Sequence, residues 1–352
     1  MELKEHLFDF DAALRPVWND GGVAWSETVL PMEDKNGVVR IPLYYRCDEV
    51  IEIRSADLKR VYEQGKDYTV ENGEIVVPIG SSIPTLSYAR QYPESETDRC
   101  FRGRNGVPFI LFGEGTMFHR LQLNVTYRHS DGWRGPVPER GTTLLPRLTE
   151  NLRSRKGFRM LVYGDSIPAG GNASGRTGIE PYLPAFGELF AENLQRITGT
   201  EIDEINTAVG GWTSEDGIKA AEERVAAYAP DLMVLHFGMN DGSGHFSPEK
   251  FTGLLRDIIA VGRAKNPDME VILVSCISAN PEACLFGLQL EYPPYLQAMQ
   301  EPGIAFANMT QMHLELLNKK RYMDMTGNNV NHPNDYLHRL YAQILTELVL
   351  PR

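Results

Sequence analysis

The chain has 352 residues, 42% hydrophobic and 23% charged, the composition of an ordinary globular protein of about two domains. Its 47 acidic and 35 basic side chains leave a formal net charge of −12, which argues against nucleic acid or an anionic membrane as the main partner, since both demand a basic surface. No apolar run approaches the roughly 20 residues needed to cross a bilayer, so no membrane partner is expected.

The first ten residues mix charge with apolar side chains and lack the basic start, apolar stretch and cleavage site of an export signal. A cytoplasmic location is therefore expected. Cys47, Cys100, Cys276 and Cys284 form no C-x-x-C pair, so neither a disulfide framework nor a zinc site is read from them. Asn124-Val-Thr, Asn172-Ala-Ser and Asn308-Met-Thr match the glycosylation acceptor pattern, which means little without a secretory route.

Residues 20–130 carry short β-like runs separated by turn signals. Residues 38–45 and 50–54 are two of them. Residues 68–70 and 74–77 flank Asn72-Gly73, a strong hairpin signal. Residues 121–128 alternate strictly, as a half-buried strand does. Together they predict an antiparallel β-sandwich domain over residues 1–145. The Gly- and Pro-rich residues 131–141 read as a crossing loop, and 144–155 as a short linking helix.

From about residue 157 the rhythm becomes strand, helix, strand. Strands are predicted at 158–163, 201–206, 231–237, 271–276 and 304–308. Helices are predicted at 181–197, 214–228 with Ser214 as N-cap, 247–265 and 335–350. This alternation implies a parallel sheet covered by helices on both faces, forming a second domain over 157–352.

Ligands of such a sheet gather beyond the C-terminal ends of its strands. Four polar, Gly-bearing segments stand there: Gly164-Asp165-Ser166-Ile167, Asn206 through Gly210-Gly211-Trp212, Gly238-Met-Asn240-Asp241, and Asn329-Val-Asn331-His332-Pro333. Each alone is ordinary turn chemistry. In combination they supply a serine at a strand end, a histidine to act as its base, and donors for an oxyanion in the Ser166 N–H, the Gly211 N–H and the Asn240 side-chain amide. Glycine at 211 lets backbone approach closely because it has no Cβ. Trp212 is a candidate to stack on a sugar ring or to pack beneath its loop. Asp165 is read as fixing the serine turn and His236 as a core histidine. His245 and His338 lack ligand spacing, so no metal is predicted.

These four blocks resemble the SGNH, or GDSL, hydrolase superfamily over residues 157–352. The resemblance implies a three-layer α/β/α flavodoxin-like parallel sheet, with Ser166 as nucleophile, His332 as general base and Ser166, Gly211 and Asn240 as the oxyanion hole. It implies no cofactor. The Gly-x-Ser-x-Gly elbow of other α/β-hydrolases is absent. The family usually carries Asp three residues before the histidine, where this chain has Asn329. A neutral Asn can hold the imidazole tautomer but cannot stabilise an imidazolium by charge. A Ser-His dyad, recruitment of Asp324 or Asp335, or a backbone carbonyl would each meet the need.

A β-sandwich ahead of such a domain is similar in layout to acetylxylan esterases and related sugar deacetylases. The expected activity is removal of an acyl group, acetyl in the first instance, from a small-molecule or oligosaccharide ester. The alternatives are a lipase or thioesterase of the same superfamily, or a carbohydrate-binding relative that has lost the chemistry. Homo-oligomerisation is left open. Arg102-Gly-Arg104-Asn105-Gly106 is a polar loop that either reaches the site or is a solvated turn.

Overall fold

The structure, a computed structural model, describes residues 8–351. The reading of the first ten residues as no export signal rests mostly on 1–7, which lie outside the described residues. Among the described residues no helix is long and apolar enough to cross a membrane.

The N-terminal half contains β1 (Val23–Val29), β2 (Val39–Ile41), β3 (Glu49–Ser55), β4 (Val61–Tyr62), β5 (Thr69–Glu71), β6 (Glu74–Val77), β7 (Cys100–Arg102), β8 (Phe109–Leu111) and β9 (Leu123–Arg128). One antiparallel sheet has the order β1-β9-β3-β4 and a second has β2-β6-β5. They close over a shared core that includes Ile41, Ile53, Ile75, Leu123, Val125 and Tyr127. The β5–β6 hairpin turns at Asn72-Gly73, as the sequence predicts. The run at 38–45 yields only three residues of strand because Pro42 has no N–H to give a ladder. The alternating strand β9 is central in its sheet: Leu123, Val125 and Tyr127 face the sandwich core, while on the opposite face Thr126 is buried, Asn124 half-buried and Arg128 exposed. A small β7–β8 ribbon stands apart and leads into the segment 112–118.

The C-terminal half holds β10 (Phe158–Gly164), β11 (Ile202–Asn206), β12 (Leu232–His236), β13 (Glu270–Val274) and β14 (Ile304–Ala307), all parallel, in the order β11-β10-β12-β13-β14. This is the flavodoxin-like order, with its topological switch point between β10 and β12. Strand residues alternate between two apolar layers. Met160, Val162, Val234 and Ile272 pack with the helices Phe186–Thr198 and Asp335–Val349. Leu161, Tyr163, Leu235 and Leu273 pack with the helix Pro248–Lys265 on the other face. The result is the three-layer α/β/α arrangement. Phe10, Ala13 and Leu14 also bury in the first of these layers.

Two helices differ from expectation. The one read over 181–197 begins at Phe186, because Pro184 disfavours helical backbone at the residue before it. The one read over 214–228 is three short pieces, and its cap is Thr213. Ser214 is occupied otherwise, since both its N–H and its hydroxyl donate to Asp241. Further on, the Thr207 hydroxyl donates to the Arg224 carbonyl at 2.9 Å and takes it out of the helical ladder.

The two halves meet through buried polar contacts that concentrate on the segment 320–334. Lys320 Nζ forms an ion pair with Glu27 and donates to the Thr28 carbonyl at 2.9 Å. Glu27 also accepts from Tyr127 Oη at 2.7 Å and Tyr44 N–H at 2.9 Å. Asp324 accepts the Leu30 N–H at 2.8 Å, and Gln122 Nε2 donates to the Met323 and Thr326 carbonyls at 2.9 and 2.8 Å.

Lys320 and Glu27 are both nearly inaccessible to water, at 0% and 2% side-chain exposure. Lys320→Met strands a buried carboxylate and is expected to cost about 3–5 kcal/mol in urea unfolding. The double variant Glu27→Gln/Lys320→Met is expected to recover most of that loss. A single-variant cost below about 1 kcal/mol, the range of an exposed pair, would show that the pair is hydrated in solution.

Candidate active site

Ser166 follows β10 and His332 lies in the loop before the last helix, 166 positions apart in the chain. The fold sets His332 Nε2 2.8 Å from Ser166 Oγ. Asp165, just before the serine, accepts the Ile167 N–H at 3.0 Å and fixes the turn. Burial pushes the Asp165 carboxyl up to about 7, with the Ile167 N–H opposing the shift and the Asp241 charge adding to it. Beyond the serine, Gly171 presses against the imidazole. A Cβ there would sit 2.9 Å from the Ser166 carbonyl oxygen and 3.2 Å from the ring, so only glycine admits the histidine this close.

The other imidazole nitrogen has two acceptors. His332 Nδ1 lies 2.8 Å from Asn172 Oδ1 and 3.2 Å from Glu114 Oε2. Asn172 Nδ2 donates to the carbonyls of Gly115 and Gly327, each at 3.1 Å, which settles which end of the amide faces the ring. An oxygen at Nδ1 requires the proton there, leaving Nε2 free to accept from the serine hydroxyl. The loop itself is tied by Asn328 Oδ1, which accepts the N–H groups of Val330, Asn331 and His332, each at 3.0 Å.

The second segment comes up to the serine at Gly210, where a built Cβ would lie 3.8 Å from the Ser166 Cβ. Neither the Ser166 N–H nor the Gly211 N–H meets an acceptor among the described residues. Gly211 has φ +83° and nothing within 4 Å of a built Cβ. Its left-handed backbone is one that glycine adopts without strain. Asn240 lies in the first turn of a short helix after β12, Met239–Ser243, and its Nδ2 donates to the Trp212 carbonyl at 2.8 Å. One of its two amide hydrogens is thereby committed, which fixes the amide while the other remains to serve as a donor.

Ser166, after β10, and Asn240, after β12, flank the switch point of the sheet. Residues 162–340, half of the chain, match the GDSL-like Lipase/Acylhydrolase family. The chain belongs to that family. An arylesterase of Vibrio mimicus is 27% identical over 108 residues, 31% of this chain and 50% of that protein, so the chain spans about half the length of the curated relative it matches. Among solved structures, a two-domain esterase active on acetylated mannans is 22% identical with a TM-score of 0.48, over 59% of this chain and 53% of that one. An acetylxylan esterase from Geobacillus stearothermophilus is 20% identical with a TM-score of 0.44, over 55% of this chain and 97% of that one.

The three residues considered for the position behind His332 lie elsewhere. Asn329 has φ +66° and its side chain turns away from the ring: Nδ2 donates to the Leu111 carbonyl at 2.9 Å, and Oδ1 accepts from Asn280 Nδ2 at 3.3 Å. Asp324 accepts from the Arg321 and Leu30 N–H groups, and Arg321 pairs with it. Asp335 accepts the Ser174 N–H at 2.8 Å in the first turn of the last helix. The residues that do face Nδ1, Asn172 and Glu114, were missed. Asn172 attracted notice only as a glycosylation acceptor, yet it is buried. Glu114, flanked by glycines in Gly113-Glu114-Gly115, carries no local signal of its role.

Trp212 packs its partly buried ring against the second apolar layer, with the Arg224 guanidinium 5.1 Å over it, and its carbonyl holds Asn240. His236 is fully buried, and burial pushes its imidazole down to about 3, so it is neutral. His338 Nε2 donates to the Gly171 carbonyl at 3.2 Å. The loop around Arg104 is no free turn: its N–H and guanidinium donate to the Glu282 and Phe286 carbonyls at 2.9 Å each.

Gly171→Ala tests how tightly the pair is set. The added methyl must displace either backbone or the imidazole, and a shift of about 1 Å is enough to lower turnover about a hundredfold. The expected result is a fall in kcat with the circular dichroism spectrum unchanged. Wild-type kcat would mean the Ser166–His332 spacing tolerates that displacement.

Proposed function

We propose that this chain is a serine esterase that removes a short acyl group, acetyl being the expected one, from a carbohydrate or a similar polar ester. The observation that carries the reading is the 2.8 Å contact between Ser166 Oγ and His332 Nε2, together with Ser166 and Gly211 N–H groups that meet no acceptor among the described residues. Membership of an acylhydrolase family supports ester cleavage, as does the arylesterase name of the Vibrio mimicus relative. A polar substrate is supported by the polar side chains that meet the imidazole, Glu114 and Asn172.

Ser166 Oγ attacks the ester carbonyl carbon as His332 Nε2 takes the hydroxyl proton. The carbonyl oxygen becomes an oxyanion held by the Ser166 N–H, the Gly211 N–H and Asn240 Nδ2. Collapse re-forms the carbonyl and breaks the bond to the alcohol oxygen, which receives the proton from Nε2. Water then attacks the acyl-serine, again giving a proton to Nε2. The proton passes to Ser166 Oγ as the carboxylic acid departs. The reading as a binding protein that has lost the chemistry rested on a neutral Asn329 behind the imidazole, and Asn329 does not occupy that place.

Hydrolysis of 4-nitrophenyl acetate by the wild type and by Ser166→Ala tests the chemistry, with a loss of at least about a thousandfold in kcat expected for the variant. Retention of full activity would remove Ser166 from the mechanism. A series of 4-nitrophenyl esters from acetate to decanoate, run alongside acetate release from an acetylated sugar, tests the substrate. A maximum at octanoate or longer would replace the deacetylase reading with a lipase one.

A further inference from the structure

Glu114 reaches the histidine from outside the matched family region. It follows β8 in the segment 112–118 of the N-terminal half, and the family match begins only at residue 162. Both oxygens of its carboxylate are engaged. Oε2 lies 3.2 Å from His332 Nδ1, and Oε1 accepts from Asn328 Nδ2 at 2.9 Å. The backbone around it is pinned as well: the Leu111 carbonyl accepts from Asn329 Nδ2 and the Gly115 carbonyl from Asn172 Nδ2. Three asparagines of the α/β half thus grip one segment of the sandwich half on either side of a single carboxylate.

We infer that Glu114 is the carboxylate partner of His332, so that the catalytic triad is completed across the two halves of the chain. The inference rests on the serine esterase reading above. Asn172, a neutral acceptor at 2.8 Å, sets the tautomer and the tilt of the ring. It cannot supply charge. When Nε2 takes the serine proton the ring becomes an imidazolium, and a negative oxygen close to Nδ1 then stabilises it by Coulomb attraction. Glu114 acts through His332 and does not touch the substrate, so it is a positioning residue.

The electrostatics of the site accord with this. Burial works against ionisation of Glu114, but the hydrogen bond to His332, the His332 charge and the bond from Asn328 outweigh it and hold the carboxyl below its ordinary range. The carboxylate is therefore charged wherever the histidine acts as a base. Two further ionisable groups stand on the last helix. His338 is kept neutral by burial, which pushes it down to about 4, and Asp335 is bound to the Ser174 N–H. Neither supplies the charge at Nδ1. Glu114 retains 53% side-chain exposure, so its effect is screened and smaller than that of a fully buried carboxylate.

The test is Glu114→Gln, which keeps the shape and an acceptor oxygen and removes the charge. Steady-state kinetics on 4-nitrophenyl acetate are expected to show kcat lowered about tenfold or more with KM within about twofold, since the tautomer is still held by Asn172. The acidic limb of the kcat/KM profile is expected to move to lower pH, because the imidazolium has lost its stabilising charge. Ring titration of His332 followed by NMR in the Ser166→Ala background, with and without Glu114→Gln, reads the same shift independently of turnover. An unmoved limb and titration, with kcat within twofold of wild type, would overturn the inference while leaving the esterase reading intact. If the wild type hydrolysed no ester, the esterase reading would fall, and the NMR titration would still decide whether Glu114 bears on the ring.

Discussion

The histidine that meets Ser166 lies outside the parallel sheet and the long helices, so its position is set by what its segment packs against, and in this chain that is the other half of the molecule. Segment 320–334 lies between the helices Met309–Leu317 and Asp335–Val349, contains one helical turn at Tyr322–Met325, and carries His332 beside the bridge between Thr326 and Pro333. Its polar groups are buried and must find partners. They find them in β1, in Gln122 and around β8: Lys320 in Glu27, Asp324 in the Leu30 N–H, the Met323 and Thr326 carbonyls in Gln122, and Asn329 in the Leu111 carbonyl. Asn334, which caps the last helix, donates to Thr28 Oγ1 at 3.0 Å and Gln122 Oε1 at 3.1 Å. The sandwich is thus the wall against which the histidine loop is built.

This bears on why the buried Lys320–Glu27 pair is present at all. Two charges removed from water gain little net stability from each other, and an apolar pair of the same volume often does as well. What an ion pair supplies is geometric discrimination, because each charge is costly in any arrangement that does not bring the other to it. A sliding interface would tolerate several registers of the 320–334 segment, whereas Lys320 accepts only the one that meets Glu27 and the Thr28 carbonyl. A serine–histidine contact of 2.8 Å needs that kind of register.

The sheet and the four candidate segments at its strand ends were legible from the sequence because they are local. Each strand is a short apolar run, and each polar segment follows a strand end or precedes the last helix, so chain order alone places Ser166, Gly211, Asn240 and His332 at one edge. The helix over 214–228 was less legible: its start depends on Asp241 and a break in it on Thr207, both of which reach it from other elements. The group behind the imidazole was not legible at all. Asn172 and Glu114 meet Nδ1 across 160 and 218 positions of chain, and neither bears a spacing that relates it to His332. The offset of three residues pointed instead to Asn329. That residue's left-handed backbone turns its amide toward the Leu111 carbonyl, and it serves the same interface from the other side.

Orientation and charge are separate demands on whatever stands behind a catalytic imidazole, and a single buried aspartate ordinarily meets both. Here the structure offers two groups for the two demands. The neutral one, Asn172, is buried, and its amide is fixed by two carbonyls. Placing an uncharged acceptor in that dry position avoids the desolvation that an ionised side chain would suffer there. The charged one, Glu114, stands at the edge where water still reaches it. The neutral acceptor needs no counter-charge in the resting site, and the carboxylate can remain ionised without a buried cation beside it. Such a division leaves Asn329 free to be neutral, which removes the one apparent defect in the family pattern.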